Sequence, residues 1–193
     1  MSRNVLFINT DTIKERTGLH NNLDEKLINP EILTAQDMYI LPTLGTALYE
    51  RLQNGIELDD LTANEITLLD TYITPTLVHF VLSELPMGIS FQFYNKGVVR
   101  KTDAGISEPS VQDLIDVANR YRTRAEFYKQ RLVKYLRQSA LSSNLFPEYL
   151  NPGNGVDTIV PDKEGYSASI WLGSEGCENK TFEQKYQGDL PNC

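Results

Sequence analysis

The sequence predicts an all-α protein: a helical bundle with a long C-terminal helix, a β-hairpin-like excursion and an extended C-terminal arm. Three observations carry that prediction. Apolar residues recur at helical spacing from about residue 62 to 86 and again from 110 to 141, each run opening on a capping signal. Between them, residues 86–108 lose that period. Finally, Asn151 to Cys193 hold half of the chain's 12 glycines together with several large apolar side chains.

Five helices are expected. Residues Thr10 to Thr17 form a short one, stopped by Gly18. Asn29 reads as an N-cap with Pro30 at the first helical position, opening a second helix that runs to about Leu41. Pro42 restarts or kinks the chain, and a third helix covers Pro42 to Gln53 with Asn54-Gly55 as its stop. The fourth opens on the capping box Thr62-Ala63-Asn64-Glu65. Its buried face is Ile66, Leu69, Ile73, Leu77, Phe80 and Val81. Pro75 is expected to bend this helix without ending it, and Pro86 with Gly88 to close it.

The excursion follows. Phe91, Phe93, Val98 and Val99 around Asn95-Lys96-Gly97 read as a loose β-hairpin or an extended loop. Ser110, with Asp113 three residues on, then caps a fifth helix reaching about Leu141. Leu114, Ala118, Tyr121, Ala125, Tyr128, Leu132 and Tyr135 repeat at alternating four- and three-residue steps, a heptad seam suited to one long neighbour.

Two units follow from this: a helical domain over 1–150 and an arm over 151–193. Glycines and prolines interrupt every apolar group in the arm, so it cannot build a core. A solvated linker would not need Tyr166, Ile170, Trp171, Leu172, Phe182 and Tyr186. These six are expected to anchor the arm on another subunit. Cys177 and Cys193 lie in the same stretch; no histidine partners them for a metal site, and two free thiols are expected over a disulfide, which a reducing compartment disfavours.

Of the 193 residues, 40% are hydrophobic and 23% charged, ordinary for a globular protein. No stretch of the roughly 20 apolar residues that a membrane helix needs is evident, and the N-terminus lacks a secretion signal, so synthesis in a cytoplasm is expected. The net charge of −8, shared about equally between 1–150 and the arm, disfavours tight non-specific DNA binding.

Catalytic patterns are missing. His79 lies on an apolar helix face and His20 in a polar loop; neither has an arranged partner. No nucleophile elbow, phosphate loop or His-Glu-x-x-His pattern occurs. Asp59-Asp60 is expected to favour the start of the following helix. Asp103 is a further isolated acid. The expectation is no enzyme, no cofactor and no metal.

One segment runs against the acidic average: residues 120–137 hold seven Lys or Arg and the single acid Glu126. At about 100° per residue, Arg120, Arg124 and Arg131 share a stripe with Lys134 at its edge, while Arg122 and Lys129 flank the seam's other side. These six are candidates for a subunit interface or a channel lining. The plainest expectation is a solvated face whose arginines pair acids on neighbouring helices or subunits.

Four patches resemble the head-to-tail connectors of tailed bacteriophages, the neck or adaptor ring beneath the portal, in versions from crAss-like phages of Bacteroidetes. They are Ala35-Gln36-Asp37-Met38-Tyr39-Ile40-Leu41-Pro42-Thr43-Leu44-Gly45 with Leu48-Tyr49; Asn95 to Val99; Tyr121 to Tyr128 with Arg131-Leu132; and Phe146-Pro147-Glu148-Tyr149. The resemblance spans about residues 30–150 and leaves the arm uncovered. It implies a structural virion protein that forms a homo-oligomeric ring, usually of twelve copies. That ring docks on the portal protein and meets the next neck or tail protein. Double-stranded DNA passes through its channel without specific binding, and an acidic lumen would let a polyanion slide. The implied place is the virion neck, after assembly in the host cytoplasm, with no membrane. Two other readings stand beside it: a tail-completion or head-decoration protein, and a nucleic-acid-binding regulator using the basic helix 120–137.

Overall fold

A computed structural model describes residues 5–94, 97–100, 110–143 and 145–161, and the side chains of all of these except 92–94 and 97–100. Helices dominate. In chain order they are α1 (Thr10–Arg16), α2 (Glu25–Ala35), α3 (Leu41–Leu44), α4 (Thr46–Leu58), α5 (Ala63–Thr67), α6 (Thr74–Ser90), α7 (Val111–Ser143) and α8 (Pro147–Leu150). Two widened π-turns, Gln36–Ile40 and Leu68–Ile73, join α2 to α3 and α5 to α6. Two short strands, Phe91–Tyr94 and Gly97–Arg100, pair antiparallel after α6, with Phe91 opposite Arg100. Residues 95, 96 and 101–109 lie outside the described residues, so the excursion expected over 86–108 is not described as a whole.

Local capping chemistry sets several helix starts. The Thr62–Glu65 box forms in both directions, with the Thr62 amide donating to Glu65 Oε2 at 2.7 Å and the Glu65 amide to Thr62 Oγ1 at 3.3 Å. Ser110 and Asp113 make the same reciprocal pair at the start of α7, at 2.8 and 3.1 Å. Asn9 caps α1 by accepting from the Thr12 amide at 2.7 Å.

Pro30 and Pro86 behave differently from the expectation. The second helix starts at Glu25, not at Pro30; Asp24 is its N-cap, accepting from the Lys26 amide at 3.0 Å, and Pro30 sits inside it. Pro86 and Gly88 do not close α6, which runs on to Ser90. Pro42 and Pro75 each follow a π-turn. A proline ring crowds the carbonyl four residues back and offers that carbonyl no N–H. Widening the preceding turn moves the strain: the Leu41 amide bonds Gln36 O and the Thr74 amide bonds Leu69 O, each five residues back. The rod from Ala63 to Ser90 therefore stays continuous.

That rod also corrects the expectation about membrane-length segments. Its 28 residues are long and apolar enough, by composition, to cross a membrane. Its most apolar window is 61% buried inside the protein, because this is the central helix of the bundle. Leu68, Ile73, Leu77, Phe80 and Val81 are fully enclosed, facing Ile28 and Ile32 of α2 and Leu132 and Leu136 of α7 in one contiguous core.

A further correction concerns the third helix. It does not run unbroken from Pro42 to Gln53: Gly45, at φ 77° and ψ 159°, ends α3 and begins α4. Nor do Asn54-Gly55 stop α4, which continues to Leu58 and ends on Asp59 in the left-handed conformation at φ 53°. Asp59-Asp60 thus terminates one helix instead of leading the next. Asp60 is held there by Arg51, whose guanidinium lies 2.6 Å from its carboxylate and 2.9 Å from that of Glu65.

Beyond α8 the chain turns back onto the bundle. The Ile159 amide donates to Thr46 Oγ1 at 2.8 Å, and the Thr46 amide donates to Ile159 O at 3.0 Å. Pro161 is buried against Gly45. The opening stretch of the expected arm is thus a strap across the N-terminus of α4. Tyr166, Ile170, Trp171, Leu172, Phe182, Tyr186, Cys177 and Cys193 lie outside the described residues, as does Asp103.

Candidate functional site

Helix α7 has two working faces. The inner one is the predicted seam. Leu114, Ala125 and Leu132 are buried, joined by Leu136 and Ala140 one step further, while Tyr121, Tyr128 and Tyr135 are half-buried along the border. The tyrosines meet aromatic partners from the central rod. Tyr135 stacks on Tyr72 with ring centroids 3.9 Å apart, and Tyr128 lies 5.0 Å from the His79 ring. His79 is also held by its Nδ1, 2.9 Å from Pro75 O, which makes it a packed structural histidine.

The arginines bordering this seam lie over rings. The guanidinium carbon of Arg131 sits 5.0 Å from the Tyr72 centroid, that of Arg122 5.6 Å from Tyr39, and that of Arg124 5.6 Å from Tyr121. Among the described residues the ion pairs are those of Arg51; none involves Arg120, Arg122, Arg124, Lys129, Arg131 or Lys134. Among the described residues, then, these six make no pair with a carboxylate of a neighbouring helix. The reason is local. Tyr72 of the rod, Tyr39 of the first π-turn and Tyr121 of α7 itself stand within reach, and a guanidinium gains about 0.5–1 kcal/mol over an exposed aromatic face.

Around Tyr39 the packing becomes polar. Its ring stacks on Phe80 at 4.0 Å, and its hydroxyl donates to Glu84 Oε1 at 2.6 Å. Burial, reinforced by the Glu84 hydrogen bond and charge, pushes the hydroxyl pKa up to about 12. Glu31 stands beside this group, close against Gly88, where a Cβ would meet its Oε1 at 2.5 Å. Burial, then the charge of Glu84, raises the Glu31 pKa. A carboxyl that ionises less readily in the fold than in the unfolded chain opposes folding at neutral pH, and the penalty fades as pH falls through its folded-state pKa. Glu31→Gln should accordingly raise the melting temperature at neutral pH by roughly 1–3 °C. Its advantage over the wild type should shrink on acidification. Equal melting temperatures at neutral pH would refute this.

The outer face of α7 repeats the seam's rhythm one residue earlier. Val117, Arg120, Arg124, Phe127, Arg131 and Lys134 follow steps of three and four, and every one is exposed. Leu141 continues the series. Phe127 is 65% exposed and Leu141 76%, so the face carries large apolar groups open to solvent between its cations. Midway, Thr123, Arg124, Phe127, Tyr128 and His79 line an open groove of about 470 Å³. Sequence reasoning found the basic members of this stripe but missed Val117, Phe127 and Leu141. The same three-and-four spacing would have placed them. Arg122 and Lys129 each sit one residue after a seam tyrosine, on the seam's other border, so neither belongs to the stripe.

No group of three His, Cys, Asp or Glu residues able to hold a metal occurs among the described residues. The arrangement offers stacking planes, cations and exposed apolar groups: the chemistry of adhesion.

A family model matches residues 40–159, which covers both π-turn prolines, the whole of α7 and the strap as far as Ile159. The chain belongs to the DUF6712 family, a family of unknown function. No curated protein and no solved structure matches the chain. The DUF6712 region ends at Ile159, the residue hydrogen-bonded to Thr46, so it takes in the strap up to that residue and leaves Pro161 and most of the glycine-rich remainder outside.

Proposed function

We propose that this DUF6712 chain is a structural virion protein that forms a ring in the neck of a tailed phage. The ring joins the portal to the tail around a channel for double-stranded DNA. The observation that carries the reading is the outer stripe of α7, a second heptad-spaced surface on a helix whose inner face is already filled. Such a surface on one side of a molecule, answered by a different surface on the next copy, gives head-to-tail association, which makes a ring where the rotation between copies closes. The resemblance to phage connectors adds to it. Three of its four patches meet in the structure: Arg122 of the third lies over Tyr39 of the first, and Phe146 and Tyr149 of the fourth are enclosed in the same core. The net charge of −8 suits a conduit that must release its DNA.

Negative-stain electron microscopy of the purified chain tests this directly. Closed rings of one symmetry are expected, twelvefold if the resemblance holds in full. A monodisperse monomer at every concentration would end the reading. Copy number per virion separates the neck from a decoration role, which would need hundreds of copies.

A further inference from the structure

We infer that the outer stripe of α7 is the receptor for the C-terminal segment 162–193 of a neighbouring copy. This rests on the ring reading, which supplies the neighbour, and adds the surface on which its tail lies. The stripe alternates cations with exposed apolar groups, Arg120 and Arg124 leading to Phe127 and then Arg131 and Lys134 leading to Leu141. Its occupant must therefore interleave acids with large apolar side chains. Segment 162–193 has that composition: six acids against three lysines, with Ile170, Trp171, Leu172 and Phe182 among them.

Charge is segregated along the chain in the same sense. Residues 1–119 carry seventeen acids and eight bases, residues 120–150 two acids and seven bases, and residues 151–193 seven acids and three bases. The basic region is thus flanked in sequence by two acidic ones, and either could cover it. Length decides between them. From Val117 to Leu141 the stripe runs about 36 Å at 1.5 Å per residue. The acidic corner that also exposes apolar groups, Leu58 to Ile66, is a single tight turn between α4 and α5 and spans only part of that. A segment of 32 residues (162 to 193) can extend to about 100 Å, enough to line the whole stripe. Duplex DNA would answer the cations but would leave Phe127 and Leu141 uncovered. The strap fixes where this segment departs, since Ile159 and Pro161 are pinned at Thr46 and Gly45.

The test places a benzophenone photo-cross-linker at Phe127 of the full chain, a site exposed enough that the substitution leaves the core untouched. Rings are assembled from equal parts of light and heavy-isotope protein, with and without duplex DNA, then irradiated and mapped by mass spectrometry. The expected product joins the residue-127 peptide to a peptide from 162–193, in mixed light–heavy pairs. Rings that form but cross-link within residues 1–161, to DNA, or to the tail in same-isotope pairs only would overturn the inference while leaving the ring reading in place. Absence of rings would remove the ring reading itself, and the inference with it. In parallel, Arg124→Glu with Arg131→Glu should weaken ring assembly at least about tenfold, whereas Arg124→Lys with Arg131→Lys, which keeps the charge, should weaken it far less.

Discussion

Gly45→Ala should destabilise the protein by about 3–5 kcal/mol, an unusually large loss for adding a single methyl group. Two independent penalties meet there. At φ 77° and ψ 159° the backbone lies in a region that only glycine occupies freely, and holding a Cβ there costs about 1–3 kcal/mol. The new Cβ would also stand 2.6 Å from Pro161 Cδ and 3.1 Å from Ile159 O, so the strap must lift. Lifting it breaks both hydrogen bonds between Ile159 and Thr46. A double-mutant cycle with Pro161→Ala separates the two effects, because alanine has no Cδ to clash. In that background Gly45→Ala should cost at least 1 kcal/mol less, read by denaturant unfolding of the full chain. Equal costs in both backgrounds would mean that the strap does not press on this residue.

What the sequence made legible was what neighbours in sequence decide. The Thr62–Glu65 and Ser110–Asp113 boxes form as expected because each closes within three residues. The seam from Leu114 to Tyr135 was readable because a 33-residue helix repeats its pattern often enough to leave little choice of face. Breaker residues misled wherever tertiary packing overruled them. Pro30 and Pro86 looked like boundaries, yet Ile28 and Ile32 on one helix and Leu82 and Leu85 on the other are buried on the same rods. Burying each such side chain contributes about 1.5–3 kcal/mol, which offsets one lost backbone hydrogen bond. Gly45 was missed for the opposite reason: its left-handed turn answers to Ile159 and Pro161, more than a hundred residues away in sequence.

The candidate site was half legible. Helical angles alone put Arg120, Arg124, Arg131 and Lys134 together, and the structure leaves all four exposed on one face. Val117, Phe127 and Leu141 were passed over, although the same spacing puts them on that face, since large apolar groups on a long helix are ordinarily assigned to its core. The stacking of Arg131 on Tyr72 and Arg122 on Tyr39 was out of reach as well. It depends on which side chains the central rod and the first π-turn present to α7, and no spacing within α7 encodes that.

Gln36→Leu should cost about 2–4 kcal/mol and release the N-terminal segment. Gln36 is fully buried in the first π-turn, and its amide is completely used. Nε2 donates to Val5 O and to the Tyr49 hydroxyl, each at 2.9 Å, while Oε1 accepts from the Phe7 amide at 2.8 Å. Leucine fills the space but answers none of these groups, and each one left buried without a partner costs about 1–3 kcal/mol. Tyr49 keeps one bond, donating to Asp37 Oδ1 at 2.6 Å, so its hydroxyl suffers least. Val5 and Phe7 are only half-buried, so the cheaper response is for residues 5–8 to swing out and bond water. That gives up the edge-on packing of Phe7 against Tyr49, centroids 5.1 Å apart, and uncovers Ile8. The signature is therefore regional: amide hydrogen exchange should accelerate at Phe7 and its neighbours well before α6 and α7 are affected. Gln36→Glu offers a reversible version. Its carboxylate cannot donate to Val5 O or Tyr49 at neutral pH, whereas the protonated acid at low pH recovers one of those bonds. Its deficit relative to the wild type should narrow on acidification. A Gln36→Leu protein with wild-type stability and unchanged exchange at Phe7 would show that this amide does not hold the N-terminus in place.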